Sequence, residues 1–314
     1  MKIFAIESSH DDTSFAVLED NKPIWMKTIS QTEIHKKYGG TIPEIASRLH
    51  VKNSALLIEE FKNVVINDKN VFQDIDYIAY TKEPGLVGSL QIGYVVAQTM
   101  ARIYSKPILG LNHLEGHFYS AFIEKELEFP ALCLLVSGGH SQIMLYNDKD
   151  NFEIIGETQD DAVGEVYDKV ARKLNLGFPG GPCIDKIWQE NNEKYLGHFS
   201  IPHTDKELDF SFSGIKTAVI NHYNNLINRK EEININKIAT EFQNTIILYL
   251  KNNFEKAILK FAPKCITLAG GVSANKAIRN TVLSLHQNVY LPKMEYTTDN
   301  AMMIARLAYE KVRN

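Results

Sequence analysis

The chain has 314 residues, 44% of them hydrophobic and 23% charged, enough for one large or two medium domains with their own cores. A formal net charge of -4 argues against a protein that coats nucleic acid by charge alone. It leaves room for a local basic face at His35, Lys36, Lys37, Arg48 and Lys52, or at Lys169, Arg172 and Lys173, although a solvated helix surface explains either group equally well. Cys133, Cys183 and Cys265 follow no C-x2-C spacing and supply neither a disulfide framework nor a zinc knuckle. The first apolar run stops at Glu7 and no segment approaches the ~18 apolar residues of a membrane span, so the expectation is a cytoplasmic protein without membrane contact.

Residues 2–6 read as a strand, Glu7-Ser8-Ser9-His10-Asp11-Asp12-Thr13 as a tight polar turn, and 14–18 as a returning strand. Tyr38-Gly39-Gly40-Thr41-Ile42-Pro43-Glu44 is a turn entering a helix that carries Ile45, Leu49, Val51 and Leu56. Residues 76–80 form a strand, 84–89 a loop, 90–104 a mostly apolar helix and 106–111 a short buried strand, which together make a βαβ unit. Pro84-Gly85 and Gly88 fit simple turn chemistry as well as ligand contact.

That last strand leads into Asn112-His113-Leu114-Glu115-Gly116-His117. Two histidines four residues apart on a helix lie on one face, about 5.4 Å apart along the axis, and can ligate a single metal. An isolated H-x3-H is more often a pair of hydrogen-bonded structural groups, so its context must decide. A zincin protease is disfavoured, because Glu115 does not directly follow the first histidine and sits roughly 200° around the helix from it.

In the second half, residues 131–136 lead into Ser137-Gly138-Gly139-His140-Ser141 and return as 142–145, the same hairpin unit as at the start. Two such hairpins suggest a duplicated fold that binds a nucleotide, since Gly/Ser turns let backbone N–H groups approach phosphate. Residues 161–171 predict a helix with an acidic beginning, ended near Gly177. After it, Phe178-Pro179-Gly180-Gly181-Pro182-Cys183-Ile184-Asp185-Lys186 reads as a rigid loop able to lie against a sugar or base. Asp168 and Asp185 are able to accept ribose hydroxyls, or are ordinary helix carboxylates. Phe210 to Thr217 marks another turn into a helix. Lys264 to Asn275 reads as a buried strand, a Gly-Gly turn and a helix N-terminus suited to adenosine or phosphate. Asp299 starts the last helix, either as its N-cap or as the carboxylate completing a two-His site.

Taken together, Glu7 to Thr13, His113-Leu114-Glu115-Gly116-His117, Val136-Ser137-Gly138-Gly139-His140, Pro179-Gly180-Gly181-Pro182, Ser211 to Thr217 and Gly270-Gly271-Val272-Ser273-Ala274-Asn275 resemble the TsaD (Gcp/YgjD) family, the tRNA N6-adenosine threonylcarbamoyltransferases. The resemblance runs in order from residue 3 to about 305. It implies an α/β, two-lobed actin-like ATPase (ASKHA) fold of duplicated ribonuclease H-like domains. Residues 1–107 would be the N-terminal lobe, with 293–314 packing back on it, and 108–292 the C-terminal lobe. It also implies transfer of a threonylcarbamoyl group from threonylcarbamoyl-AMP to N6 of the adenosine 3′ of the anticodon. Carried over by motif, His113, His117 and Asp299 bind one Fe2+ or Zn2+ per subunit. Leu135, Val136, Ser137, Gly138, Gly139, Asp168, Gly181, Asp185 and Asn275 hold the adenylate. Besides tRNA, the family works with a second actin-like subunit (TsaB-type) and a small ATPase (TsaE-type). The chain departs from the pattern at His10, where Cys is usual, at Phe178, where Tyr is usual, and at Glu83, where Gly is common.

An exocyclic adenine amine is a poor nucleophile, so its proton must be taken as the new bond forms, and Asp11 is the candidate carboxylate. Its alternative is an Asx-turn residue shaping the first hairpin. The competing function is a small-molecule kinase of the same fold, but hard Mg2+ prefers oxygen ligands, whereas imidazole suits iron or zinc. A catalytically silent binding subunit would lack the metal residues and Gly-rich loops that this chain carries.

Overall fold

The computed structural model describes residues 1–66 and 69–313; Asn314, the end of the expected C-terminal segment, lies outside the described residues. In chain order the first elements are β1 (Lys2–Glu7), β2 (Asp12–Glu19), β3 (Lys22–Ser30), α1 (Thr32–His35), α2 (Pro43–Lys62), β4 (Val65–Ile66), β5 (Lys69–Asn70), β6 (Tyr77–Glu83), α3 (Val87–Tyr104), β7 (Ile108–Asn112) and α4 (His113–Ser120). They are followed by β8 (Ala131–Val136), β9 (Ser141–Tyr146), β10 (Phe152–Glu157), α5 (Val163–Lys173), α6 (Gly180–Asn191), α7 (Ser213–Arg229) and α8 (Ile235–Phe261). The chain closes with β11 (Cys265–Ala269), α9 (Lys276–Leu283), β12 (Val289–Tyr290) and α10 (Ala301–Val312). Two compact units result, Met1–Glu126 with Pro292–Asn314, and Leu127–Leu291. The expected first lobe of 1–107 leaves out β7 and α4, which belong to the first unit because β7 hydrogen-bonds to β6 and α4 packs on α10.

The first unit holds a five-stranded sheet in the order β3-β2-β1-β6-β7, with β1, β6 and β7 mutually parallel and β2 and β3 antiparallel. The second unit repeats order and directions as β10-β9-β8-β11-β12. This repetition is the duplicated ribonuclease H-like arrangement that the resemblance implied. In the first unit Phe4, Ile6, Phe15 and Val17 pack against Leu57 and Phe61 of α2 and Ala97 and Met100 of α3. Alternation turns Ile3 and Ala5, also fully buried, to the other face, where α10 lies. A strand covered on both faces explains why β1 is apolar nearly throughout. In the second unit Leu132, Leu134 and Val136 of β8 and Ile266 and Leu268 of β11 form the core with Val166 and Val170 of α5 and Phe242, Ile246 and Phe254 of α8.

Three expectations change. Each hairpin continues into a third strand, β3 or β10, whose mix of exposed and half-buried residues gives little alternation to read. Helix α2 buries Ala46, His50, Asn53, Ser54, Leu57 and Phe61, while Val51 and Leu56 are exposed. The expected loop at Gly180-Gly181-Pro182 is instead the first turn of α6. Pro182 is tolerated there because N–H groups of a first turn have no intrahelical partner. A Cβ on Gly180 would lie 2.5 Å from the Tyr167 carbonyl oxygen, so glycine is what lets α6 close on α5.

Candidate metal centre and nucleotide loops

Parallel pairing of β1, β6 and β7 brings their carboxyl ends to one edge of the first sheet, the edge at which open α/β sheets gather ligands. Glu7 ends β1, Thr81 lies near the end of β6, and β7 passes directly into α4 at His113. The Asn112 side chain caps α4, accepting hydrogen bonds from the N–H groups of Leu114 (2.8 Å) and Glu115 (3.2 Å). A Cβ on Gly116 would come within 2.7 Å of Ile304 Cδ1, so glycine between the two histidines lets α4 lie close on α10.

That close approach brings Asp299, which precedes α10, to the histidine pair. Between the two readings of Asp299 the backbone decides: the N-cap is Asn300, whose side chain accepts from Met303 N at 3.0 Å. The Asp299 carboxylate is thereby left to face the imidazoles, with Oδ1 3.1 Å from His117 Nε2 and 3.6 Å from His113 Nε2. Among the described residues these three form the His/Cys/Asp/Glu group able to hold a metal, their ligand atoms all within 4.8 Å of one another. Ligand atoms bonded at ~2.0–2.1 Å to a tetrahedral ion stand about 3.3–3.4 Å apart. The two His–Asp separations, 3.1 and 3.6 Å, bracket that value, and two imidazoles with one carboxylate form a donor set that suits iron or zinc.

The electrostatics come from burial opposed by pairing. Burial works against charge on His113, but Glu7 and Asp299 outweigh it and raise the ring to about 9. Burial would raise the Asp299 carboxyl, yet His113 and His117 hold it well below the usual carboxylate range. Glu7 is likewise lowered by His113 against the effect of its burial. Asp11, in the turn between β1 and β2, faces the His10 ring, with Oδ1 2.9 Å from Nδ1. Among the described residues this is the only side-chain hydrogen bond of Asp11, so the carboxylate does not close an Asx-turn. Burial raises the neighbouring Asp12 carboxyl to about 7, and its Oδ1 is buried without a partner among the described residues.

In the second unit, Leu135 and Val136 end β8, and Ser137-Gly138-Gly139 form the turn into β9. Ser137 Oγ accepts from the N–H groups of Gly139 (3.3 Å) and His140 (3.0 Å), which fixes the turn. A Cβ on Gly138 or Gly139 would meet nothing within 4 Å, so their backbone is open to a ligand. Because β8 and β11 are parallel, the Gly270-Gly271 turn after β11 lies at the same sheet edge, with Gly270 at φ 83° and its Cα close to the Val136 carbonyl. Asp185 and Asn275 are brought together through Gln243 of α8, whose Nε2 reaches Asp185 Oδ1 (3.3 Å) and Asn275 Oδ1 (2.9 Å). Asp168 accepts from Gly180 N at 2.7 Å, and Gly181 lies beside it in the first turn of α6.

Neither Asn275 nor Asp185 is free of structural duty. Asn275 caps α9, accepting from Ile278 N at 3.1 Å, and Asp185 accepts from Lys276 N at 3.2 Å. Asn275→Ala is therefore expected to destabilise the protein by about 1 kcal/mol, the usual value of an N-cap, as well as disturb any ligand there. Denaturant unfolding checks this; an unchanged midpoint would mean that the cap carries no stability. Sequence reasoning missed Gln243, which sits on a long helix like any polar core residue, and Glu7 and Thr81, whose partners are distant in sequence. A carboxylate closing an apolar strand was the one available hint of Glu7.

The chain matches the TsaD family, tRNA N6-adenosine threonylcarbamoyltransferase, over residues 24–306. It belongs to that family. A relative of the same description from Metamycoplasma arthritidis is 72% identical over 313 residues, covering 100% of this chain and 99% of the relative. Another, from Mycoplasmopsis agalactiae, is 53% identical over the same span and the same shares. Among solved structures, full-length HypF in its phosphate- and nucleotide-bound form aligns with TM-score 0.63 at 13% identity, over 100% of this chain and 56% of that one. Component A of the Acidaminococcus fermentans (R)-2-hydroxyglutaryl-CoA dehydratase aligns with TM-score 0.55 at 13% identity, over 99% and 98% of the two chains. These likenesses show the fold alone, which is the actin-like ATPase (ASKHA) class expected from the motifs. This member of the TsaD family is thus a transferase, and the kinase reading is not favoured. Among the described residues no helix is long and apolar enough to cross a membrane.

Proposed function

We propose that this protein transfers the threonylcarbamoyl group of threonylcarbamoyl-AMP to N6 of the adenosine 3′-adjacent to the anticodon, in tRNAs reading codons that start with A. The observation that carries this reading is the convergence of His113, His117 and Asp299 in a chain of the TsaD family. These three residues hold one Fe2+ or Zn2+. When bound, that ion supplies Lewis-acid orientation of the donor's carbonyl. The turn at Ser137, Gly138 and Gly139, through the N–H of Gly138, receives the phosphate of the adenylate with the strand end at Leu135 and Val136. Asp168, Gly181 and Asp185 contact its ribose, and Asn275 borders its base. Asp11 accepts the proton released by the adenine amine as the N6–C bond forms and AMP departs. The half-exposed His10 ring, raised above its ordinary value chiefly by its hydrogen bond to Asp11, steadies that carboxylate.

The partners are tRNA, a TsaB-type second actin-like subunit and a TsaE-type small ATPase. Support for a protein partner comes from α3, which leaves Val87, Val95 and Ile103 exposed. The test is transfer to unmodified tRNA with threonylcarbamoyl-AMP, with and without candidate partners, read by mass spectrometry of the nucleosides. Appearance of the modified adenosine supports the proposal. Phosphorylation of a sugar or acid from ATP, with no modified nucleoside, would favour the kinase.

A further inference from the structure

We infer that Glu7 is a positioning residue for the metal centre: its carboxylate fixes the His113 ring so that Nε2 is presented to the ion, and adds a second negative charge to that of Asp299. The inference rests on the reading of His113, His117 and Asp299 as metal ligands.

Glu7 is fully buried, and no step of the proposed transfer uses it. A buried carboxylate is costly unless paired and hydrogen-bonded, and both oxygens here have partners. Oε1 accepts from Ser9 N at 2.5 Å, while Oε2 accepts from Thr81 Oγ1 at 2.5 Å and lies 3.0 Å from His113 Nδ1. Thr81 reaches it because Ile6 pairs with Tyr80 across parallel β1 and β6, which sets Glu7 and Thr81 side by side. An ionised carboxylate only accepts hydrogen bonds, so Nδ1 must carry the proton on that edge. The other ring nitrogen, Nε2, is then the one that gives up its proton to a metal, and it is the one that faces Asp299 Oδ1 at 3.6 Å.

His117 shows what the ring lacks without such a partner. Its Nδ1 is buried and unpartnered among the described residues, and the hydrogen bond that orients the ring, from Nε2 to Asp299 Oδ1 at 3.1 Å, lies on the metal-facing edge. The two ligands are therefore unequal: His113 is tethered at the nitrogen that faces away from the ion, and His117 is not. Charge points the same way: with both rings neutral, Glu7 and Asp299 together match a divalent cation, so removing either leaves a buried excess of positive charge.

The test uses full-length protein stripped of metal, with Zn2+ affinity measured by competition against a chromophoric chelator. Glu7→Gln keeps the side-chain length and loses the charge; Glu7→Asp keeps the charge and withdraws the carboxylate by one methylene. Each is expected to weaken Zn2+ binding by ~10–100-fold, the range for losing an outer partner of a metal-bound histidine. Wild-type affinity in Glu7→Asp alongside a loss in Glu7→Gln would reduce Glu7 to a bulk charge and overturn the positioning role. Wild-type affinity in both variants would overturn the inference whole. Where neither variant folds, Thr81→Val carries the test: it leaves the carboxylate in place and removes one of its tethers, so weaker Zn2+ binding supports the inference and unchanged binding rejects it. A wild-type protein that binds no Zn2+, Fe2+ or Co2+ would instead reject the metal-centre reading itself.

Discussion

Replacing His113 or His117 with alanine is expected to cost the protein its metal, with affinity falling by more than the ~10–100-fold lost when only an outer partner is removed. Two of the three protein ligands would remain in either case, too few for a closed site. Metal content by elemental analysis, equal in wild type and both variants, would reject the site. The two variants should nevertheless differ in their metal-free stability. His113 is the charged neighbour of the fully buried Glu7, and removing one partner of a buried pair costs about 3 kcal/mol. His117 faces Asp299, whose side chain is 24% exposed and still has His113 beside it, so its loss should cost less.

Proton linkage gives the same comparison a sign. His113 is raised to about 9 in the metal-free fold, above its unfolded value of ~6.5, so its stabilising contribution is complete below ~6.5 and is lost as pH rises through 9. Thermal melts of metal-free protein should fall across that window in wild type and more weakly in His113→Ala. An identical fall in both would assign the pH dependence to other groups.

Which features the sequence reveals follows from the kind of interaction each residue makes. Hairpin β1–β2, hairpin β8–β9 and the passage from β7 into α4 were legible because apolar runs and turn residues are local signals. The strand order was not legible from spacing, and with it went the partnership of Glu7 with His113, which exists only because β6 lies between β1 and β7. Two capping residues stand in succession at Asp299 and Asn300, and only the backbone shows that Asn300 takes the cap and frees Asp299. At Gly180-Gly181-Pro182 composition misled, because glycine and proline are turn formers in general but here serve close packing and a first helical turn. Helix α2 misled in the opposite sense, since the face it buries includes His50 and Asn53. His50 is held between Thr13 Oγ1 (2.8 Å) and the His10 carbonyl (2.9 Å), which makes a polar side chain part of the core.

Asp11→Asn is expected to lower transfer to tRNA by ~10²–10⁴-fold, the range for losing a general base, while metal content and affinity for the adenylate stay at wild-type levels. The separation rests on where Asp11 stands. It belongs to neither the metal set nor the second-unit loops, and its carboxylate is hydrogen-bonded to the His10 ring rather than to the backbone of its own turn. Asparagine retains an oxygen that can accept from the His10 Nδ1–H, so the turn has no reason to change, but an amide does not accept a proton at working pH. Loss of metal or of protein stability in the variant would make Asp11 structural. Transfer near the wild-type rate would remove it from the chemistry and turn attention to Asp12, the first residue of β2, whose carboxyl is raised to about 7 chiefly by burial.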